Sequence, residues 1–372
     1  MIVKFSLISL LVIIILFSSS KMSYRGIWIL NFACCIVLSF FAYHLFPLKA
    51  LDIYRYYTQI DIAMQSGVNF ILQHDDFVTL PFAGLYVSLF VVLGNKFLLP
   101  AVTCFIYYFF ISSVVIKYAR NNQKSKYGLV LFLIAFYLIS NYLGVISGIR
   151  NPMAISLFCY ILYKDLILKS NFTKCVFGYV SLCLFHPSTI ILVIIRLLIF
   201  LDKKYDKIIC LVLLYWTLLK TNLISFLLKI SNNSFIMLLS EKLISYDSTE
   251  ANAVANVSLY TIVYLVFYLS GILTYFIYKK YCSQSIKENT TAFNRFLIFL
   301  FSFCFGSICE YHMFVRFSRS VLMLLSVPII NIMSCKEIYN KNKIGIMFIL
   351  FLESLAFLLF YMTGQYTSIS FF

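Results

Sequence analysis

Residues 97–116 read FLLPAVTCFIYYFFISSVVI, a run without a charged side chain between Lys96 and Lys117. A helix needs about 20 mainly apolar residues to cross the hydrocarbon core of a bilayer. The same rule predicts further spans at 2–18, 27–46, 128–147, 152–169, 208–228, 257–278, 293–311, 318–334 and 344–362. The pattern therefore predicts an all-α polytopic membrane protein with roughly 10 to 12 transmembrane helices, built as a single integral-membrane domain over 1–372.

The composition leaves no room for a sizeable water-soluble domain. Of 372 residues, 62% are hydrophobic and only 12% are charged, whereas soluble domains carry about 25% charged residues. The net charge of +16 comes from short basic clusters between apolar runs. This is the positive-inside signature of cytoplasmic loops, so we expect no nucleic-acid partner. Most of the eleven cysteines lie in apolar runs without paired spacing, which predicts neither disulfides nor a metal site.

The basic clusters also predict the orientation of the chain in a bacterial inner membrane. They are Lys21/Arg25, Lys117/Arg120/Lys124/Lys126, Lys164/Lys169/Lys174, Lys203/Lys204/Lys207, Lys279/Lys280/Lys287 and Lys336/Lys341/Lys343. With all of them in the cytoplasm, two larger loops at about 47–79 and 229–256 are periplasmic. So is the turn at His186-Pro187, which splits the apolar run 175–200 into two short helices. This orientation requires that 78–94 does not cross the membrane; if it crosses, everything before it is inverted.

Ionisable groups at membrane depth are costly, so those that persist are candidates for function. Arg150 stands in the stretch SGIRNP at 147–152, where Asn151 is suited to cap the next helix and Pro152 to enter its first turn. A guanidinium beside backbone N–H groups at a helix N-terminus makes a site suited to phosphate. An interfacial arginine that reaches lipid headgroups explains the same residues.

Three further places carry polar groups. His186, in LFHPS at 184–188, suits a general base toward a sugar hydroxyl, or a cap of a helix turn. Arg316 and Arg319 share one helix face where the span 318–334 begins, and they repel each other unless pyrophosphate or lipid phosphate is near. The stretch LDIYRYY at 51–57 mixes aromatic and polar groups, which suits carbohydrate and equally suits the aromatic belt of a membrane protein.

The order of these motifs resembles the EpsG-like family of Wzy-type polysaccharide polymerases, from about residue 45 to 335. SGIRNPMAIS at 147–156, followed by FHPSTI at 185–190, is similar to that family's Ile-Arg-x-x-(Leu/Met)-Ala and Phe-His-x-Ser motifs. Asp52 to Tyr57 resembles its acidic, tyrosine-rich first outer loop, and Arg316 its late Arg-x-x-Tyr element. The chain departs from the family at Ala50-Leu51, where a glycine is usual, and at Arg319, where the tyrosine is usual.

The resemblance implies an O-antigen polymerase, which transfers a growing glycan from undecaprenyl diphosphate to a lipid-linked repeat unit at the periplasmic face. It implies no cofactor, neither nucleotide nor obligatory metal. The partners that it implies are undecaprenyl-diphosphate-linked glycans, the lipid bilayer and a chain-length regulator of the polysaccharide co-polymerase type. The residues expected to act are His186 and Asp52 as general base, Arg150, Arg316 and Arg319 on the diphosphate, and Arg55, Tyr56 and Asn151 on the glycan. His186 is the favoured base because imidazole titrates nearer to neutral pH than a carboxylate does.

Other activities remain open. An O-antigen ligase or a membrane O-acyltransferase would also use intramembrane arginine or histidine. A flippase or secondary transporter would show internal repeats and charged or broken helices at the membrane midplane. No repeat is visible in this sequence, and the candidate charges gather at one predicted face, which favours an enzyme. No Walker, HExxH or GxSxG motif occurs, so the energy must come from an activated substrate or a gradient.

Overall fold

The described part of the chain is helical in the computed structural model. It comprises residues 22–46, 51–140, 142–216, 219, 257–281, 290–308, 310–335 and 370–371. The predicted spans 2–18 and 344–362, the predicted loop 229–256 and most of the second half of 208–228 lie outside these residues.

The helices follow one another with short connections. In chain order they are α1 Tyr24–Tyr43, α2 Asp52–Ser66, α3 Asn69–Gln73, α4 Asp75–Val78, α5 Pro81–Val92, α6 Leu98–Asn121, α7 Lys126–Ile139, α8 Tyr142–Ser147, α9 Arg150–Leu162, α10 Phe172–Cys183, α11 Ser188–Leu198, α12 Asp206–Leu214, α13 Val257–Tyr281, α14 Thr291–Gly306, α15 Tyr311–Leu324 and α16 Ser326–Ser334. A π-helical turn, Tyr163–Ile167, continues α9, and a 3-10 turn, Lys203–Tyr205, precedes α12. Two short strands, Leu45–Phe46 and Ser370–Phe371, pair antiparallel.

Among the described residues, four helical segments are long and apolar enough to cross a membrane. They are Tyr24–Tyr43, Leu98–Asn121, Ile262–Tyr281 and Met313–Ser334. Of the shorter apolar helices, α7 and α14 pack against these segments, whereas α10 and α11 pack against α9. The prediction of an α-helical membrane protein is confirmed at this level.

Two of the predicted spans have different limits in the structure. The segment 128–147 is interrupted, because Ser140 has extended backbone angles (ψ 117°) and ends α7 before α8 begins. The late span starts at Tyr311 rather than at 318, so Arg316 and Arg319 lie within α15 and not at its beginning. A rule that counts charges ends a span at an arginine, whereas a helix continues through arginines that face the interior of the bundle.

Contacts between helix ends sort the loops into two groups. At one end, the Ser125 N–H donates to Ser334 Oγ at 2.8 Å, and the Tyr24 hydroxyl donates to the Lys124 carbonyl. The basic residues from Lys117 to Lys126 lie at this end, which we call the basic end. At the opposite end, Asn95 Nδ2 donates to the Tyr43 hydroxyl at 2.9 Å and joins the end of α1 to the start of α6.

The short apolar segment 78–94 lies at the end opposite to the basic end. Its helix α5 has 12 residues and is about 18 Å long, whereas the hydrocarbon core is about 30 Å thick. Tyr86 in α5 hydrogen-bonds to Thr103 Oγ1, near the start of α6, at 2.8 Å. Helices α2, α3 and α4 pack on α5. Helix α5 is therefore shorter than the hydrocarbon core is thick, and it packs at the end opposite to the basic end.

Candidate functional site

Arg150 opens α9 directly after a sharp turn of the backbone. Ile149, which is fully buried, has a φ of +34°, a conformation that is uncommon and costly for a β-branched residue. Gly148 fits the turn because a Cβ there would lie 2.8 Å from the Gly144 carbonyl oxygen. Backbone strain of this kind is often found at functional sites, where the surrounding structure holds it in place.

The prediction that Asn151 caps this helix is wrong. The capping position belongs to Ile149, which makes no side-chain cap hydrogen bond, and Asn151 is already the second residue of α9. With the positive φ at Ile149, the helix starts two residues earlier than the sequence suggests. Pro152 still falls in the first turn, where its missing N–H removes no helical hydrogen bond. The Asn151 amide is thereby available for a contact outside its own helix.

The Arg150 side chain packs against two adjacent aromatic rings of the segment 51–78, Tyr56 and Phe77, whose centres are 6.4 Å apart. Its guanidinium carbon is 5.7 Å from the centre of the Tyr56 ring and 5.4 Å from the centre of the Phe77 ring. The guanidinium also donates a hydrogen bond to the Tyr56 hydroxyl. Such cation–π contacts contribute about 0.5–2 kcal/mol each and fix the orientation of the charged group.

Tyr56 connects Arg150 to the other predicted residues of α2. The Tyr56 side chain is buried, whereas Asp52, one turn earlier, and Arg55 are exposed. The Arg55 guanidinium carbon lies 5.7 Å from the centre of the Tyr56 ring. Burial raises the pKa of the Tyr56 phenol, and the two guanidiniums offset this only in part. The phenol therefore stays neutral at physiological pH, and its oxygen accepts from Arg150.

His186 lies in the turn between α10 and α11. The Ser188 backbone N–H donates to His186 Nδ1 at 3.2 Å, and Ser188 Oγ lies 2.7 Å from the same nitrogen. The imidazole thus caps the first turn of α11, which is the alternative that the sequence left open. In the tautomer in which Nδ1 accepts this N–H, the neutral ring carries its proton on Nε2. In that form Nε2 is a hydrogen-bond donor and has no lone pair for a substrate proton.

The turns that carry Arg150 and His186 are in direct contact. Asn151 Nδ2 donates to Ser188 Oγ at 3.3 Å, and this hydroxyl adjoins the His186 ring. A continuous chain of contacts therefore runs from α2 through the start of α9 to the start of α11. We call it the outer cluster: Asp52, Arg55, Tyr56, Arg150, Asn151, His186 and Ser188. The sequence did not single out Ser188 or Phe77 as site residues, although Ser188 directly follows Pro187 in the stretch LFHPS.

Arg319 contacts residues that lie outside the outer cluster. Arg319 Nε donates to the Tyr264 hydroxyl at 3.4 Å. Arg319 also lines a cavity of about 30 Å³ together with Tyr107 and Ser140, which has room for about two water molecules. Helix α15 packs against α9, but none of the residues that line this cavity belongs to the outer cluster. The structure thus joins the Arg150 and His186 motifs and places Arg319 about 12 Å along α15 from its start.

Within the part of the chain that the structure describes, no group of three or more His, Cys, Asp or Glu side chains is placed to hold a metal ion. Comparison of the chain with protein-family models, with curated proteins and with solved structures finds no match. The function is therefore argued from the outer cluster and from the motifs that form it.

Proposed function

We propose that this chain is a membrane glycosyltransferase of the Wzy type, an O-antigen polymerase. It would join undecaprenyl-diphosphate-linked oligosaccharide repeat units at the periplasmic face of a bacterial inner membrane. The observation that carries the proposal is the outer cluster, in which three distant stretches, 52–56, 150–151 and 186–188, come together at the end opposite to the basic end. Each stretch is also one of the motifs on which the family resemblance rests.

The chemistry of glycosyl transfer from a lipid diphosphate supports this assignment. The bond between the anomeric carbon and the diphosphate oxygen breaks, and a new bond forms from that carbon to an acceptor hydroxyl. Negative charge accumulates on the leaving diphosphate, and preorganised positive groups are the main means of stabilising it. We assign this task to Arg150, whose guanidinium packs against the adjacent rings of Tyr56 and Phe77. The diphosphate leaves as the anion, and the hydroxyl proton passes to a base.

We also propose a different base from the one that the resemblance favours. With Nδ1 engaged by the Ser188 N–H, the neutral imidazole offers an Nε2–H donor, which suits a diphosphate oxygen better than an acceptor hydroxyl. We therefore assign proton acceptance to Asp52, whose carboxylate is exposed at the first turn of α2. His186 becomes a second donor beside Arg150. Arg316 and Arg319 stay candidates for diphosphate binding from within the bundle.

The orientation follows from the charge rule. If the basic end lies in the cytoplasm, the outer cluster faces the periplasm, where lipid-linked repeat units are polymerised. The full chain would then contain roughly 10 to 12 spans, and a chain-length regulator would be its partner at the periplasmic side. This orientation requires that helix α5 does not cross the membrane, and its length of 12 residues supports that requirement.

The decisive experiment is a gel of surface lipopolysaccharide from a strain that lacks this gene, with and without the gene returned. A polymerase predicts loss of the ladder with core plus a single repeat unit retained. Loss of even that single repeat would instead indicate a flippase or a ligase. An unchanged ladder with altered serology would indicate an acyltransferase, and the proposal would be wrong.

A further inference from the structure

A second charged cavity lies at the basic end, far from the outer cluster. It has a volume of about 490 Å³ and lies between α1, α6, the end of α9 and the turn that follows. Four of its lining residues are cationic: Arg25, Lys117, Arg120 and Lys164. The remaining lining residues are Tyr24, Trp28, Ser113, Val114, Ile116, Tyr160 and Leu168. Among the described residues that line it, none is acidic.

The nearest acid in sequence is engaged elsewhere. Asp165 accepts from Arg196 Nε at 2.7 Å and from the Tyr179 hydroxyl at 3.0 Å. Lys164, by contrast, has its ammonium 4.6 Å from the centre of the Tyr160 ring, at the wall of the cavity. Four like charges around one cavity repel one another in the absence of an anion. The arrangement therefore favours an anionic ligand.

The cavity also borders an apolar surface. Trp28 is 39% exposed and stacks on Phe32 with 5.7 Å between the ring centres. Farther along α1, large apolar side chains remain exposed, among them Ile29, Ile36, Val37 and Phe40. In a chain that spans a membrane, such a face contacts lipid. A ligand in the cavity would therefore contact positively charged side chains and, farther along α1, an apolar helix face.

We propose that this cavity binds the anionic headgroup of a membrane phospholipid from the adjoining leaflet. The headgroup phosphate lies among Arg25, Lys117, Arg120 and Lys164, and an acyl chain runs past Trp28 along α1. Basic pockets between membrane helices on the cytoplasmic side are suited to such lipids. This site is at the opposite end from the proposed diphosphate site, so it serves a structural or regulatory lipid rather than the glycan carrier, and it stands whether or not the proposed function is correct.

The test is lipid binding by the purified full-length protein in detergent, followed by native mass spectrometry. Phosphatidylglycerol should remain bound as one molecule per chain, and phosphatidylcholine should bind at least about tenfold more weakly. The variant K117Q/R120Q, which removes two exposed cations of the cavity, should weaken phosphatidylglycerol binding about tenfold or more. Equal binding by this variant and by the unchanged protein would overturn the proposal.

Two controls keep the result interpretable. K203Q/K204Q removes two exposed lysines outside the cavity and should leave phosphatidylglycerol binding unchanged. A loss equal to that of K117Q/R120Q would show that binding depends only on the net charge of the protein, and the proposed site would be wrong. K117R/R120K keeps the charges and should keep the lipid, which separates loss of the site from misfolding. Added inorganic phosphate should not displace the lipid; displacement at millimolar concentration would show a site for soluble anions instead.

Discussion

The guanidinium carbon of Arg150 lies 5.7 Å from the centre of the Tyr56 ring, so the first residue of α9 is fixed against a helix from a distant part of the sequence. The same guanidinium carbon lies 5.4 Å from the centre of the Phe77 ring. An arginine held in this way is oriented before any substrate arrives, and this reduces the free energy that ordering the side chain would cost on binding. Preorganised charge is also more effective in a transition state than mobile charge.

Arg150→Ala should abolish the lipopolysaccharide ladder while the amount of membrane-inserted protein stays unchanged. Removal of one preorganised donor costs about 10²–10³ in rate, and such a loss leaves only the single-repeat band on the gel. Arg150→Lys keeps the charge but loses the planar fork and the ring contacts, so it should give short chains only.

The matched control for Arg150 is Lys96→Ala. Lys96 lies at the same end of the bundle and pairs with Asp61 at the surface, outside the outer cluster. Exposed ion pairs contribute about 0–1 kcal/mol to stability, so the ladder should persist. A full ladder from Arg150→Ala, or its loss from Lys96→Ala as well, would remove the special role of Arg150.

His186→Gln and His186→Ala should separate the two roles of the histidine. The glutamine amide places an N–H near the position of Nε2, so a donor role predicts that His186→Gln keeps activity within about tenfold of the unchanged protein. Removal of a hydrogen-bond donor to the diphosphate predicts a loss of about 10²-fold or more in His186→Ala. The readout is the rate of chain extension in membranes supplied with lipid-linked repeat units.

The same pair of variants would also reveal a general base. Loss of a base costs about 10²–10⁴-fold, and glutamine cannot accept the proton, so both variants would then be equally inactive. That result would return the role of base to His186 and remove it from Asp52. Asp52→Asn, measured in parallel, should be inactive only under the present assignment.

Much of the fold could be predicted from the sequence because span length and charge position are local properties. The predicted span 97–116 corresponds to most of α6, and the short apolar segment 78–94 contains the short helix α5. The convergence of Arg150 and His186 was not visible, since it depends on how α9 packs against α11. The prediction of a cap at Asn151 failed for a local reason, the φ of +34° at Ile149. A positive φ is rare for a β-branched residue, so the sequence does not predict it there.

Loss of one partner of the ion pair between Asp165 and Arg196 should destabilise the protein more than replacement of both partners by apolar residues. Both side chains are only 7% exposed, with Arg196 Nε 2.7 Å from the Asp165 carboxylate. Asp165→Leu leaves a buried guanidinium without its anion and should cost about 3–5 kcal/mol, whereas Asp165→Leu with Arg196→Leu should recover most of this loss. The midpoint of thermal unfolding in detergent measures both.

The surface pair of Lys204 and Asp202 provides the comparison for this experiment. Its atoms are 3.6 Å apart and both side chains are 64% exposed, so Asp202→Ala should change the free energy of unfolding by less than about 1 kcal/mol. If the double variant of the buried pair unfolds at no higher temperature than Asp165→Leu alone, the destabilisation has another source, such as loss of the carboxylate that accepts from the Tyr179 hydroxyl.

Epitope tags inserted at Gly67 and at Gln123 should be accessible from opposite sides of the membrane. Both positions are exposed turns with positive φ, at +98° and +48°, and a Cβ at Gly67 would meet nothing within 4 Å. In intact spheroplasts an antibody should reach the tag at Gly67, and it should reach the tag at Gln123 only after permeabilisation. Each tagged protein must first restore the ladder, which shows that it is folded. The reverse accessibility would place the outer cluster in the cytoplasm, where a periplasmic polymerase could not act. Access to both tags from outside would show that the basic end and the outer cluster do not lie on opposite sides of the membrane.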